Sequence, residues 1–405
     1  MRRVVVTGLG TVTPLGSGRR EVWRRLLRGE SGISTVESFD TSAYKVHIGG
    51  EIKDFDAAEH VRRLDPGSLG RASQLAVAAA YEALDDSGAR LEDLEPWRCA
   101  VAMGTTSGEP REVERYNDLR AADGLPQVGD DLMRRYPCHV IAATVAAELD
   151  IEGSATMLPA ACAAGNYAVA RAFDLLQMDR ADLVLAGGAD AFSRITYTGF
   201  ARLGAVAPEM CQPFDRDRRG MVPGEGAAVL VLEPLDRALE RGATIYAEVA
   251  GYGLSCDAHH MTAAPSDGSG AARAMAQALR HSGLHPDAVD YVSAHGTGTP
   301  TNDALESRAL ETVFGAGAKR KPVSSIKSML GHTMGAASAI EAAACVMALS
   351  EGFVPPTINF RSPDPACAVD CVPNEARELA AEVVMNNASA FGGNNASVIF
   401  QRCQP

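Results

Sequence analysis

The hydrophobic positions of this chain form short apolar runs that alternate with longer segments of helical periodicity. Residues 4–10 and 99–105 are apolar runs that close on glycine or threonine, and they predict buried strands. Residues 72–87 and 337–349 are rich in alanine and apolar on nearly every side, which is typical of helices buried between layers. This alternation predicts an α/β fold of mostly parallel sheets covered by helices.

The same order of elements occurs twice along the chain. The matched segments are residues 5–10 and 249–253, 83–88 and 278–283, 99–105 and 289–297, and the helix after Cys162 with residues 335–349. We therefore predict two pseudo-symmetric β/α halves that form a layered sandwich with buried central helices. The division is residues 1–245, which carry a candidate nucleophile, and residues 246–405, which carry two histidines and a lysine.

One cysteine lies where a strand should become a helix. Cys162 follows the apolar residues 156–158 and Pro159, and residues 167–177 carry apolar side chains at helical spacing. At a helix start, unpaired backbone N–H groups and the helix dipole favour the thiolate, which is the nucleophilic form. A buried structural thiol is the alternative, because free cysteine is among the most buried residue types. Catalysis at Cys162 therefore requires partners from elsewhere in the chain.

Two histidines in the second half provide such partners. His295 lies in Ser-Ala-His-Gly-Thr-Gly-Thr, at the carboxyl end of a predicted strand, where open α/β sheets build their sites. Lys327 and His332 lie in Lys-Ser-Met-Leu-Gly-His-Thr, just before the helix that the repeat pairs with the helix after Cys162. Each histidine alone could be a satisfied loop residue. Together they predict a nucleophilic site where the two helix starts meet.

Acidic residues and a glycine turn complete the candidates. Asp303 and Glu306 lie on one face of a predicted helix start. For Asp303 we expect helix capping and surface charge, whereas we expect Glu306 to pair with Lys327 and hold it. Residues 389–395 form a tight turn whose two glycines allow a backbone N–H to approach a ligand closely, although a purely turn-forming role is equally open.

Composition and charge restrict the partners. The hydrophobic fraction of 46% and the charged fraction of 22% are ordinary for a globular enzyme. The formal net charge of −13 argues against nucleic acid or an anionic membrane as the main partner. The first residues predict a strand instead of a signal peptide, and we expect no membrane-spanning helix.

The cysteines indicate a reduced, cytoplasmic chain. There are nine, an odd number scattered along the sequence. The close pair Cys367 and Cys371 lacks a second pair or a nearby histidine, so we expect no metal.

These motifs together resemble those of the β-ketoacyl-acyl carrier protein synthases. The similarity covers nearly the whole chain and is nearest to the elongating synthase II type and to ketosynthases of type II polyketide pathways. The motifs that carry it are Ala-Cys-Ala-Ala-Gly at Cys162, His-Gly-Thr-Gly-Thr at His295, Lys-Ser-Met-Leu-Gly-His-Thr from Lys327 to His332, and Phe-Gly-Gly at Phe391. The resemblance implies a thiolase-like fold and a homodimer, or a heterodimer with a related ketosynthase-like subunit.

The activity that the resemblance implies is a decarboxylative Claisen condensation. Cys162 would take an acyl group from a carrier protein or coenzyme A as a thioester. His295 and His332 would hold the malonyl thioester carbonyl and assist loss of carbon dioxide. The enolate would attack the acyl-Cys162 carbonyl, giving a 3-oxoacyl-acyl carrier protein. Backbone N–H groups of Cys162 and Phe391 would stabilise the tetrahedral oxygen, and Lys327 would support the electrostatics.

Further roles are implied only by position in the family motifs. They are Phe391, Gly392 and Gly393 at the oxyanion site and gate, Thr297 and Thr299 along the pantetheine arm, and Arg62 and Arg63 toward an acidic carrier protein. An exposed helix face accounts equally well for the two arginines. No permanently bound cofactor is implied, because the phosphopantetheine arm of the carrier protein delivers the substrate.

Some positions depart from the family pattern. Ala390 stands where glycine is common, Ser389 where a bulky aromatic is common and Gln212 where arginine is common, while Asn166 and Tyr167 stand where histidine is frequent. Alanine restricts the backbone, so the gate would move differently here. With the polar segment 111–136, which we expect to be a surface excursion or subunit contact, these changes favour a specialised, polyketide-type pathway over housekeeping fatty-acid biosynthesis, which stays open. We expect Asn166, Tyr167, Ser389 and Ala390 to decide which acyl chain is held.

Two other functions remain open at the level of sequence. A chain-length-factor-like subunit would bind a catalytic partner without turnover, but such subunits usually lack the cysteine that this chain keeps. A ketosynthase-like acyltransferase or cyclase would retain only the thioester step. The two histidines favour decarboxylative condensation, but they do not exclude such an enzyme. Thiolase is disfavoured, because thiolases have a second cysteine in place of one histidine.

Overall fold

The computed structural model describes residues 2–123 and 130–404. The strands are β1 Val4–Thr13, β2 Gly16–Ser17, β3 Ser34–Thr35, β4 Ile48–Gly49, β5 Cys99–Gly104, β6 Ala155–Leu158, β7 Leu183–Asp190, β8 Gly226–Pro234, β9 Ala247–Cys256, β10 Tyr291–Ser293, β11 Val323–Ser324, β12 Phe353–Val354, β13 Arg377–Glu378, β14 Val383–Ser389 and β15 Asn394–Gln401. The α-helices are α1 Arg19–Leu27, α2 Arg71–Ser87, α3 Pro110–Asp123, α4 Asp130–Arg135, α5 Val140–Glu148, α6 Ala164–Gln177, α7 Arg194–Arg202, α8 Leu235–Glu240, α9 Ser269–Ser282, α10 Pro300–Phe314, α11 Lys327–Leu330 and α12 Ala337–Glu351.

The main sheet repeats one strand order in the two halves. The order is β6-β5-β7-β8-β1 in the first half and β11-β10-β14-β15-β9 in the second. In each half the first two pairings are parallel and the last two are antiparallel. The predicted pseudo-symmetric α/β fold is confirmed, but the expectation of mostly parallel strands is wrong for the inner pairs. Strands β1 and β9 join the halves through a short antiparallel ladder.

Five layers result from the packing of helices on these strands. Helices α2 and α5 cover the outer face of the first half, and α9 with α10 covers that of the second. Helices α6 and α12 pack against each other between the halves. Their backbones approach closely because a glycine lies at the crossing: a Cβ on Gly165 would lie 2.4 Å from the amide nitrogen of Ala339. This contact brings the beginnings of the two central helices together.

Helix α12 and the turn before it bear on the expectation that the chain has no membrane-spanning helix. Residues 334–351 form a run of 18 residues with a mean hydropathy of 1.2, long and apolar enough to cross a membrane. Within the fold, 89% of that run is buried. The apolar residues are therefore accounted for by the protein core between the two sheet halves.

The segment 111–136 lies partly outside the described residues. Its described parts belong to α3 and α4, and α3 packs against α7. Three large apolar side chains are exposed there, those of Leu119, Met133 and Tyr136.

Candidate active site

Cys162 lies at the junction that the sequence predicts. Strand β6 leads into a 3₁₀ turn, Ala161–Ala163, which continues as α6. Ala161 has a φ of 49°, in the left-handed region, so the chain turns sharply just before the cysteine. In the second half, Met334 has a φ of 54° and begins the matching turn before α12, where Gly335 occupies the position of Cys162. The pseudo-symmetry of the two halves therefore includes these left-handed backbone conformations.

The two predicted histidines converge on this cysteine. Nε2 of His332 lies 3.1 Å from Sγ of Cys162. The ring of His295 meets that of His332 edge to face, with centroids 5.5 Å apart. One ligand atom from each of the three residues lies within 4.8 Å of the others, and all three are buried. This spacing is also that of a metal site, which the sequence analysis did not predict.

Burial sets the protonation states in this cluster. It raises the pKa of the Cys162 thiol to about 12, against the opposing effect of the Lys327 charge. Burial and the Lys327 charge together hold the pKa of His295 and His332 well below its usual value. The resting site therefore holds a neutral thiol and two neutral imidazoles. The backbone at the helix start lowers the pKa of Cys162, as expected, but burial raises it by more.

The tautomer of both imidazoles follows from their unpaired nitrogens. Nδ1 of His295 and Nδ1 of His332 are buried without a hydrogen-bond partner among the described residues. A buried donor without a partner is rarer than a buried acceptor without one. The proton of each ring therefore belongs on Nε2. This tautomer presents two N–H donors in the cluster around Cys162.

Lys327 has a different partner from the one predicted. Its buried ammonium group forms an ion pair with Glu341, in the middle of α12, and the expected pair with Glu306 is wrong. Glu306 instead accepts backbone N–H bonds from His295 and Gly296, each 2.8 Å long, because α10 begins directly behind this loop. Sequence reasoning missed Glu341, although a carboxylate alone in an apolar helix signals a buried cation nearby.

Asp303 is a buried loop anchor, so the expected surface charge is wrong. Its carboxylate accepts the backbone N–H groups of Phe214 at 2.8 Å and Gly298 at 3.2 Å. The cap of α10 is Thr299, whose hydroxyl accepts the Asn302 N–H. Asp303 therefore holds the loop that carries His295 instead of capping the helix.

A cavity of about 380 Å³ connects this cluster with the surface. Cys162, His295 and His332 line its inner end, and Thr297 and Thr299 line its wall. The two threonine hydroxyls lie 2.9 Å apart. The cavity thus passes the threonines that the family motif assigns to the pantetheine arm.

The glycine turn closes one side of the cavity. Gly392 and Gly393 have φ values of 84° and 80°, which only glycine adopts without strain. The side chain of Phe391 remains 43% exposed at the cavity. Ala390 is extended, with φ −138° and ψ 153°, so alanine imposes no restriction in this conformation.

The positions expected to decide the substrate lie in different places. Ser389 and Ala390 line the cavity. Asn166 is fully buried and exchanges hydrogen bonds with Asn386 across the two halves, so it is absent from the cavity wall. Tyr167 packs near Ala390 in a cluster of alanines. Gln212 donates to the Asn359 carbonyl at 3.1 Å.

Arg62 and Arg63 lie in a loop and do not line the cavity, so the alternative account of them as an exposed helix face is wrong. Both side chains are exposed, Arg62 above the ring of Tyr81 and Arg63 paired with Asp150 at 2.8 Å. The backbone N–H groups of both arginines bind Glu148.

Comparison with known proteins covers the whole chain. The family model described as beta-ketoacyl synthase, N-terminal domain, matches residues 1–238, and the one for the C-terminal domain matches residues 246–361. The chain is 39% identical to 3-oxoacyl-[acyl-carrier-protein] synthase 2 of Synechocystis sp., over 100% of this chain and 99% of that protein.

Solved structures give the same result. The ishigamide ketosynthase/chain length factor matches with a TM-score of 0.96 and 43% identity over 100% of both chains. The structure described as AntDE:AntF, a type II PKS acyl-carrier protein in complex with its ketosynthase bound to the hexaketide, matches with a TM-score of 0.92 and 33% identity. That match covers 99% of this chain and 100% of the other.

Proposed function

The chain belongs to the β-ketoacyl synthase family, and on this premise we propose how its own residues condense an acyl thioester with malonyl-acyl carrier protein. The protein is an acyltransferase that forms a 3-oxoacyl thioester. The observation that supports the residue assignment best is the 3.1 Å approach of His332 Nε2 to Cys162 Sγ, with His295 beside them.

The first step transfers the acyl group to Cys162. The cysteine sulfur attacks the thioester carbonyl, the carbon–sulfur bond to pantetheine breaks, and the proton lost by Cys162 ends on the departing pantetheine sulfur. The tetrahedral oxygen would be stabilised by the backbone N–H groups of Cys162 and Phe391. Because the resting thiol is neutral, deprotonation accompanies this attack instead of preceding it.

The second step removes carbon dioxide from the malonyl thioester. The Nε2–H groups of His295 and His332 donate to the thioester oxygen as it takes up enolate charge. Neutral imidazoles suit this role, since both donors remain bound to their protons while the carbon–carbon bond breaks. Lys327 adds a positive charge behind them, and its pairing with Glu341 keeps that charge in place.

The third step joins the two fragments. The enolate carbon attacks the acyl-Cys162 carbonyl, and collapse of the tetrahedral intermediate breaks the carbon–sulfur bond to Cys162, whose sulfur takes up a proton from water. The product carries two more carbons than the acyl group that entered. Glu306 and Asp303 contribute by holding the loop that presents His295.

We further propose that the phosphopantetheine arm of an acyl carrier protein enters past Thr297 and Thr299 and that no other cofactor is bound permanently. Carrier docking at Arg62 and Arg63 is supported by their exposure. The division at residues 1–245 and 246–405 agrees with β9, the first strand of the second half, beginning at Ala247.

A second subunit is also part of the proposal, as a homodimer or as a heterodimer with a related ketosynthase-like chain. In the described residues β6 ends the sheet with one edge unpaired, and such edges are usually covered. The free state of all nine cysteines supports a cytoplasmic location. A polyketide-type pathway is supported by the likeness to the ishigamide and AntDE proteins.

Intact mass spectrometry with an acyl-carrier substrate tests the nucleophile. Cys162→Ala should remove the acyl adduct, whereas Cys211→Ala should keep it, because that thiol is equally buried but donates to the Thr297 carbonyl and does not line the cavity. His332→Ala should keep the adduct and stop release of carbon dioxide from malonyl-carrier protein. Persistence of the adduct in Cys162→Ala would remove this cysteine from the role.

A further inference from the structure

A buried carboxylate lies where the two halves of the molecule meet. Asp190 ends β7 and is fully buried. Oδ1 accepts the Thr105 hydroxyl at 3.0 Å and the Ser107 N–H at 2.9 Å, and Oδ2 accepts the Thr106 N–H at 2.7 Å. The fourth donor is the Gly335 N–H, 2.6 Å from Oδ2. One side chain thus ties a loop of the first half to the turn before α12 in the second.

The contact at Gly335 permits no side chain. A Cβ there would lie 2.5 Å from the carbonyl carbon of Thr105 and 2.6 Å from Oδ2 of Asp190. Gly335 follows His332 by three residues and occupies the pseudo-symmetric position of Cys162. The junction that Asp190 holds is therefore adjacent to the reacting groups from both halves.

The charge of Asp190 strengthens this junction. Its contacts in the described part of the chain are N–H and O–H groups, and none is a cation. Burial raises the pKa of the carboxyl to about 6, which leaves it ionised above that pH. Hydrogen bonds to an ionised acceptor are roughly twice as strong as neutral ones. Burying a charge without a counterion costs free energy. The burial of the Asp190 carboxylate at this junction therefore indicates a functional role.

We propose that Asp190 is a positioning residue that fixes Cys162, carried by the first half, relative to His295 and His332, carried by the second. The proposal rests on the proposed function, since it concerns the order of steps at that site. Acylation takes place on Cys162, and decarboxylation needs the two histidines, which lie together in the second half. Carbon–carbon bond formation depends most on the separation of the halves, because an enolate held by histidines of the second half must reach an acyl carbon held by the first.

Loss of the carboxylate should therefore uncouple the steps. Enolate would still form between the histidines, but it would meet the acyl-Cys162 carbonyl less often and would be protonated instead. Misplacement by about 1 Å can cost a hundredfold in rate. Carbon dioxide release should then exceed formation of the 3-oxoacyl product.

The experiment measures the ratio of carbon dioxide to 3-oxoacyl product in single-turnover reactions of the full-length protein. Asp190→Ala should raise this ratio about tenfold or more above its value near one, while acyl-adduct formation stays within about threefold. Asp190→Asn, which keeps one oxygen for the Gly335 N–H, should give a smaller increase in the ratio. It replaces the alanine variant in the experiment if that variant does not fold.

Glu109→Gln is the matched control. This carboxylate is equally buried and accepts backbone N–H bonds from Ala72 and Ser73, but all its partners lie in the first half. Its ratio should remain near that of the unchanged protein, since loss of folded enzyme lowers both products equally. An unchanged ratio in both Asp190 variants would overturn the proposal. Absence of any acyl adduct in the unchanged protein would instead contradict the proposed function.

Discussion

The closest approach of the two central helices gives a sharp test of how packing controls the site. Gly165 lies on α6, three residues after Cys162, and its Cα faces Ala339 of α12. A Cβ added by Gly165→Ala would lie 2.4 Å from the Ala339 nitrogen and 2.7 Å from its Cβ. Neither atom is the end of a flexible side chain, so the helices themselves must separate.

The expected magnitude follows from these distances. Ordinary contact begins near 3.4 Å, so the backbones must separate by roughly 1 Å. Overpacking of this kind costs about 1–3 kcal/mol, and the better helix propensity of alanine offsets up to about 1 kcal/mol. With the full offset, we expect the free energy of unfolding to fall by up to about 2 kcal/mol. Because Cys162 moves with α6 and His332 is joined to α12, condensation should fall by about a hundredfold.

Urea denaturation and a condensation assay measure the two effects. Gly199→Ala is the control, because Gly199 lies within α7 and an added Cβ would meet no atom of the described residues within 4 Å. That variant should gain up to about 1 kcal/mol from helix propensity and keep full activity. If Gly165→Ala matched Gly199→Ala in stability and rate, the argument that helix contact positions the site would be refuted.

The remaining predictions concern the charges around the thiol. Glu341→Gln leaves the Lys327 ammonium buried without its partner, so the free energy of unfolding should fall by about 3–5 kcal/mol in urea denaturation. Because the Glu341 charge raises the pKa of Cys162 and the Lys327 charge lowers it, Glu341→Gln should speed alkylation by iodoacetamide, and Lys327→Met should slow it. In the unchanged protein burial raises that pKa to about 12, so alkylation should quicken about tenfold per pH unit between about pH 7 and pH 10.

Alkylation must be followed at Cys162 itself by peptide mass spectrometry, because Cys256 is exposed and also reacts. A plateau in rate near pH 8 would mean that a thiolate already exists in the resting site. Unchanged stability of Glu341→Gln would contradict the argument that Glu341 compensates the buried charge of Lys327.

Much of the fold is encoded in consecutive residues. The alternation of apolar strands with alanine-rich helices, and its repetition in the same order, predicted the two halves and their central helices. Those signals are local, since the periodicity of a segment decides which of its faces is buried. The convergence of Cys162, His295 and His332 was predictable for the same reason, because each lies at a matching position of a duplicated unit.

The partners of the buried charges were decided only by the tertiary structure. Sequence spacing suggested Glu306 for Lys327, yet it is Glu341 of α12 that pairs with the ammonium group. Asp190 carried no signal at all, since its donors come from the loop after β5 and from Gly335 in the other half, and these segments meet only in the folded chain. A charge that is taken out of water must find its compensation within hydrogen-bond distance. Distances of that kind arise from the crossing of helices and strands far apart in the chain, and they also set the protonation of Cys162.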